Sequence, residues 1–415
     1  MVHSMEYGTS DGGSAGWDWC SQRGNGEASR LLAWHIGRGD GGGEGCTGVD
    51  AGWGGPYRAA ARRDAAIGQG GDGLELGQHR PQRNWGPRVH EYLTRGMRAV
   101  TLENEKVRVS VLAGKGTDVF EFNYKPRDLD LVWLTAGGVR NPTAYLSTSP
   151  DPLATFIDHY LGGWQEVFPN GGVASSYLGA QYGQHGEVSN LPWDARIIED
   201  TEAAVAVAFS VRTQKGPYRI EKTLRLRAGS PVLEVSEVLT NESDVALRAM
   251  WGHHITFGRP FLAPGCRICL PDGVTGIPHP VPLHPEGRRV SGAGPFGWPV
   301  APGGAGGEVD LGLLPPRGTA GELVYLTGFR EGWYEVESPA HGIGCRVGWD
   351  AGTMPYLWFW QEFGAARGYP WYGRHYNIGL EPFPSYPTNG LAEAVENGTA
   401  LFIGPREERR FELTA

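Results

Sequence analysis

Ala99-Val100-Thr101-Leu102-Glu103-Asn104-Glu105-Lys106-Val107-Arg108-Val109-Ser110-Val111-Leu112 is the stretch on which the fold turns. Two β-branched runs that alternate in the manner of half-buried strands flank the polar turn Glu103-Asn104-Glu105, so the segment reads as a β-hairpin opening a domain. Working outward, the same signature recurs over residues 203–211, 219–227 and 232–239, each run followed by Gly, Asn, Asp or Ser of turn type. Further strands are expected over residues 322–329, 334–337, 344–347, 356–361, 400–403 and 410–413. No long amphipathic helix interrupts them. A short one is expected over residues 152–161, with Asp151 as N-cap and Pro152 as its first residue. The class is therefore all-β with antiparallel sheets and few short helices.

Residues 1–88 differ in kind. Glycine clusters such as Gly41-Gly42-Gly43 and scattered Arg and Trp carry no sustained period of 2 or 3.6. Such a segment buries too little to offset its ordering entropy, so it is expected to be disordered or irregular, or an over-extended start. Residues 89–415 form the domain. Within them, residues 271–322 bring Pro278, Pro280, Pro282 and Pro285 in quick succession and read as a long surface excursion that shapes a cleft.

Composition narrows the function. With 37 Lys plus Arg against 46 Asp plus Glu, a formal charge of −9, there is no electrostatic footprint for nucleic acid or anionic lipid. No apolar run is long enough to span a bilayer, and no signal-peptide pattern opens the chain. Cys20, Cys46, Cys266, Cys269 and Cys345 are an odd, scattered set that reads as reduced thiols of a cytoplasmic protein. Cys266 and Cys269 have zinc-ligand spacing, but no second pair follows them. The expected partner is a small neutral molecule, the expected assembly a monomer or homodimer.

Three stretches concentrate polar and aromatic residues in apolar surroundings. The first runs from Gly162-Gly163-Trp164-Gln165-Glu166 through Asn170 to His185-Gly186-Glu187-Val188-Ser189-Asn190-Leu191-Pro192-Trp193. The second is Trp251-Gly252-His253-His254-Ile255-Thr256-Phe257-Gly258-Arg259-Pro260. On a strand, neighbouring side chains point to opposite faces, so only one of His253 and His254 faces a common cleft. The third, Gly379-Leu380-Glu381-Pro382, sets a carboxylate at the end of an apolar run, as a general base requires.

In this order the stretches resemble the galactose mutarotase-like superfamily of aldose 1-epimerases and relatives, in its less characterised branch. The likeness spans about residues 95–413. It implies a β-supersandwich of large antiparallel sheets with a cleft across the concave sheet, and no cofactor. It also implies a sugar substrate, whose ring opens when Glu381 takes the anomeric proton and His254 protonates the ring oxygen, with His185 polarising that oxygen. Typical aldose 1-epimerases carry Asn-His-x-Tyr-Phe-Asn on the central strand, whereas Gly252 and Thr256 stand here. Trp164, Trp193 and Trp360 are candidate stacking platforms, and Gln165, Asn170, Gln361 and Glu362 candidate hydroxyl partners. Arg374, beside His375, is a candidate for an anionic substituent. Two other readings stand beside this one. A metal-dependent isomerase or lyase would use His185, His254 and Glu381 with Glu187 or Glu362. A non-catalytic sugar-binding protein would need the cleft alone.

Overall fold

The computed structural model describes residues 83–144, 154–284 and 287–415. The expectations for residues 1–82, and for Asp151 and Pro152 as a helix start, lie outside the described residues.

The alternation read in the sequence assembles into two large antiparallel sheets. The first, of twelve strands, takes the order Arg88–Thr94, Met97–Glu103, Val107–Leu112, Asp118–Tyr124, Trp164–Val167, Gly252–Gly258, Asn377–Phe383, Tyr356–Glu362, Leu323–Thr327, Thr275–Pro278 and Phe296–Gly297, with Leu129–Asp130 paired beside Asp118–Tyr124. The second, of eight strands, runs Arg267–Cys269, Gly332–Ser338, Ile343–Trp349, Glu408–Thr414, Leu233–Asn241, Tyr218–Arg227, Ala204–Arg212 and Asp194–Asp200. Inward residues of both sheets, among them Val109, Ile255, Phe257, Leu380, Val207, Leu224 and Phe411, form one continuous apolar core. In Tyr218–Arg227 every second residue is buried, so Arg219, Glu221, Thr223 and Arg225 face away from that core, and Lys222 is the charged residue on the inward side.

The expected hairpin over residues 99–112 is present, Val100 pairing with Val111 and Leu102 with Val109. It does not open the domain, because Arg88–Thr94 pairs ahead of it as an edge strand. Only Val89 of that strand is fully buried and Leu93 is 71% exposed, so no alternation marked it. The segment 271–322 is less of a surface excursion than its prolines suggested. Thr275–Pro278 pairs with Leu323–Thr327 and extends the large sheet, and only after Pro278, which lacks the N–H a ladder needs, does the chain leave it. The short helix is observed as Ala154–His159. Among the described residues no helix is long and apolar enough to cross a membrane.

A smaller cluster covers part of the outer face of the twelve-stranded sheet. Trp358 stacks on Phe383 at 3.7 Å and nearly parallel, and Val167, Met250, Leu323 and Tyr325 join them beneath the helix Leu391–Glu396. The uncovered part of that face is the floor of a cleft.

Candidate active site

Central strands of the large sheet carry the three stretches to one place, and the pleat decides which of their side chains meet. His254 pairs across from Gln165, Thr256 from Gly379, and Glu381 from Trp358. His254, Glu381, Trp358 and Trp360 therefore share the outer face, whereas His253, Trp164, Glu166 and Gln361 point the other way.

On that face lies a cleft of about 260 Å³. His254 Nε2 stands 3.4 Å from Glu381 Oε1, and the ring of His185 is 5.2 Å from that of His254. Its walls are aromatic: Phe156, Tyr160, Trp360 and Trp371, with Trp360 and Trp371 5.3 Å apart. The helix Ala154–His159 supplies Phe156, which lies 4.6 Å from the His185 ring and keeps it dry.

His185 sits in a loop with φ of +55°, and the φ of +75° that follows falls on Gly186, where a Cβ would lie 2.3 Å from the Phe168 carbonyl oxygen. The His185-Gly186 pair is thus a backbone requirement of the site. The Gly172 backbone N–H donates to His185 Nδ1 at 3.2 Å. Because a backbone N–H can only donate, Nδ1 is unprotonated and Nε2 carries the hydrogen.

Burial sets the electrostatics. It pushes His254 down to about 4, and it pushes His185 well below the usual histidine range, with His254 adding to the effect. It also holds the Glu381 carboxyl well above the usual carboxylate range. In its resting form the Glu381–His254 pair thus carries one proton, on the carboxyl, with a neutral imidazole facing it.

Gly379 makes room for the acid. A Cβ there would lie 2.4 Å from Glu381 Oε1, so the glycine of Gly379-Leu380-Glu381-Pro382 clears the volume the carboxyl occupies. Gly252 has a parallel reason, since a Cβ would meet the Phe383 ring at 2.5 Å, and Thr256 Oγ1 donates to the Gly163 carbonyl at 2.6 Å. Packing thus accounts for Gly252, and a buried hydrogen bond holds Thr256.

The other sequence candidates divide. Trp360 lines the cleft; Trp164 and Trp193 do not, being buried between the sheets, where Trp164 Nε1 donates to His253 Nδ1 and Trp193 lies under the Lys222 ammonium. Gln165 points to the outer face but donates to the Gly162 carbonyl, and Asn170 bonds the Val173 and Gly183 carbonyls and accepts from the Leu391 N–H. Gln361 accepts from Arg289 at 2.7 Å. Glu362 faces His284 at 3.1 Å, and Glu187 accepts from the backbone N–H groups of Gln214 and Lys215, so neither carboxylate joins the cleft histidines. Arg374 is exposed and outside the cleft lining. Cys266 and Cys345 are buried free thiols. Sequence reasoning missed Phe156, Tyr160, Trp371, His279 and Thr388, which come from segments that carried no motif.

Behind the cleft, on the inner face, Glu166, Glu237 and His253 form the group of three possible metal ligands found among the described residues. The Lys222 ammonium already occupies that group, 2.7 Å from Glu166 Oε2 and 3.5 Å from Glu237 Oε1.

Residues 94–276 match the model of a domain of unknown function, DUF4432, a span that includes His185 and His254 and ends before Glu381. Among solved structures, a candidate aldose 1-epimerase from Klebsiella pneumoniae aligns over 79% of this chain and 86% of its own, at 15% identity and a TM-score of 0.61. A galactose mutarotase-like protein from Clostridium acetobutylicum aligns over 80% and 99%, at 13% identity and a TM-score of 0.53. A candidate mutarotase from Salmonella typhimurium aligns over 79% and 92%, at 12% identity and a TM-score of 0.51. No curated protein sequence matches the chain. At these identities the likeness is one of fold, and the chain has the galactose mutarotase-like fold.

Proposed function

We propose that this galactose mutarotase-like chain is an isomerase of the aldose 1-epimerase type, opening and reclosing the ring of an uncharged aldose. The observation that carries the reading is the meeting of Glu381 and His254, 3.4 Å apart, in an aromatic-walled cleft with His185 alongside.

Ring opening removes the proton from the anomeric hydroxyl, whose oxygen becomes the carbonyl oxygen on C1, while the bond between C1 and the ring oxygen breaks and the ring oxygen takes a proton. One proton leaves and one arrives, so a pair that holds one proton in total is the right reagent. Hydroxyls of the bound sugar that donate to Glu381 stabilise its carboxylate and draw the proton to His254. Glu381 then accepts the anomeric proton while His254 protonates the ring oxygen. The Nε2–H of His185 is a neutral donor that polarises that oxygen without adding charge. Rotation about C1–C2 and the reverse transfers close the ring on its other face. Trp360 and Trp371 offer ring faces for the apolar side of a pyranose.

Proton-exchange NMR of the purified chain with a panel of aldoses tests this. Anomer interconversion is expected, to survive chelation, and to fall by about a hundredfold or more in Glu381→Gln, the usual worth of a positioned acid or base. Interconversion lost to the chelator would favour the metal-dependent reading. Binding without interconversion would favour the non-catalytic one.

A further inference from the structure

His279 lines the cleft immediately after the strand Thr275–Pro278, far from any motif read in the sequence. Its backbone is fixed, since His279 N–H donates to the Leu323 carbonyl at 2.9 Å. Its ring is fixed as well. Nδ1 lies 2.7 Å from the Tyr325 hydroxyl, which is 2.8 Å from Thr388 Oγ1 and accepts the Thr388 backbone N–H at 3.0 Å. Tyr325 is 1% exposed, so this hydroxyl has no access to bulk water.

The Thr388 end is also held. Its carbonyl accepts the Val173 N–H at 2.9 Å, and a Cβ on Gly172 would fall on that carbonyl. The same Gly172 donates its N–H to His185. One backbone contact between the 172–173 and 388 segments therefore braces two imidazoles of the cleft, His185 directly and His279 through Thr388 and Tyr325.

A phenol is a stronger donor than an alcohol, and a neutral imidazole nitrogen is a stronger acceptor than either oxygen. At 2.7 Å the favoured arrangement has Tyr325 donating to His279 Nδ1 and Thr388 Oγ1 donating to Tyr325. Burial, with Arg288 adding to it, keeps His279 neutral. The remaining ring hydrogen is then on Nε2.

We infer that His279 is a specificity-determining residue, whose Nε2–H, locked in place by Tyr325 and Thr388, donates to a non-reacting hydroxyl of the sugar. The inference rests on the sugar-binding reading of the cleft. It adds a second fixed imidazole donor to His185 and requires no charge on the substrate.

Two measurements test it. In 15N-histidine-labelled protein without sugar, the His279 resonance should show the Nε2–H tautomer, and Tyr325→Phe should mix the two tautomers; a dominant Nδ1–H form in the wild type overturns the inference. Equilibrium binding of an aldose and its series of singly deoxygenated analogues gives the second. Wild type should lose about tenfold or more in Kd against one analogue, and His279→Leu should bind the parent sugar as weakly as that analogue, with no further loss when the two changes are combined. His279→Gln, which keeps a donor near the Nε2 position, should recover part of the difference. Equal weakening of every analogue by His279→Leu, or preserved discrimination, overturns the inference. Turnover is read in the same samples, so binding with this pattern but without interconversion rejects the epimerase reading and leaves His279 in its role. Failure of every sugar to bind wild type rejects both.

Discussion

Replacing Lys222 with methionine exposes how the inner face supports the cleft. Lys222 is 5% exposed, with Nζ 2.7 Å from Glu166 Oε2 and 3.5 Å from Glu237 Oε1. Trp251 Nε1 donates to Glu166 Oε1 at 2.5 Å, and His253 Nε2 stands 3.1 Å from Glu237 Oε2. At an effective dielectric of about 20, the 2.7 Å pair alone is worth about 6 kcal/mol of gross attraction, much of it offset by the desolvation of both ions. Deleting the ammonium leaves that desolvation in place and removes the attraction. The expected loss of folding free energy is about 3–5 kcal/mol. Burial, with Glu237 beside it, already holds Glu166 above the usual carboxylate range, so proton uptake there is the first response to the loss. Urea unfolding followed by tryptophan fluorescence measures the effect, with Arg406→Met as the control, because the Arg406–Asp244 pair is exposed on both sides. Lys222→Met combined with Glu166→Gln should regain a substantial part, since the second change removes a charge that no longer has its partner. A loss under about 1 kcal/mol for Lys222→Met, or further destabilisation in the double variant, would refute the reasoning.

Two further outcomes follow from the cleft itself. With His254 pushed down to about 4 and Glu381 held well above its ordinary range, the pair keeps one proton across the interval between them, so kcat/KM for anomer interconversion, corrected for the spontaneous rate, should be level from about pH 5 to neutrality. It should fall as pH drops through about 4, where His254 becomes an imidazolium facing a protonated carboxyl; an acid limb near the ordinary histidine value of 6.5 would contradict this. Gly379→Ala places a Cβ 2.4 Å from Glu381 Oε1 and 3.2 Å from the Trp360 ring, and should lower kcat by about a hundredfold while the urea midpoint moves less than in Lys222→Met, because the nearest obstruction is the far end of the Glu381 side chain and the ring need give by only a few tenths of an ångström. Retention of wild-type kcat in that variant would mean that Glu381 does not need its observed position.

The sequence by itself determined the local order. Alternation over 99–112, 219–227 and 232–239 marked strands because side chains of an antiparallel sheet divide between core and solvent with a period of two. Parity likewise separated His253 from His254, and Glu381 stood out as a carboxylate within an apolar run. Tertiary structure decided what those residues meet. The strand 164–167 lies beside 252–258, and that beside 377–383, through connections of more than eighty residues, and no local pattern encodes such an order. The same holds for the tryptophans. Trp164, Trp193 and Trp360 are alike as residues in a sequence, yet only Trp360 falls on the outer face where the cleft opens, while the other two fill the core. His279 carried no signal at all, because what makes it a candidate is a tyrosine 46 residues on and a threonine 63 beyond that, joined to it only by the packing of the sheet.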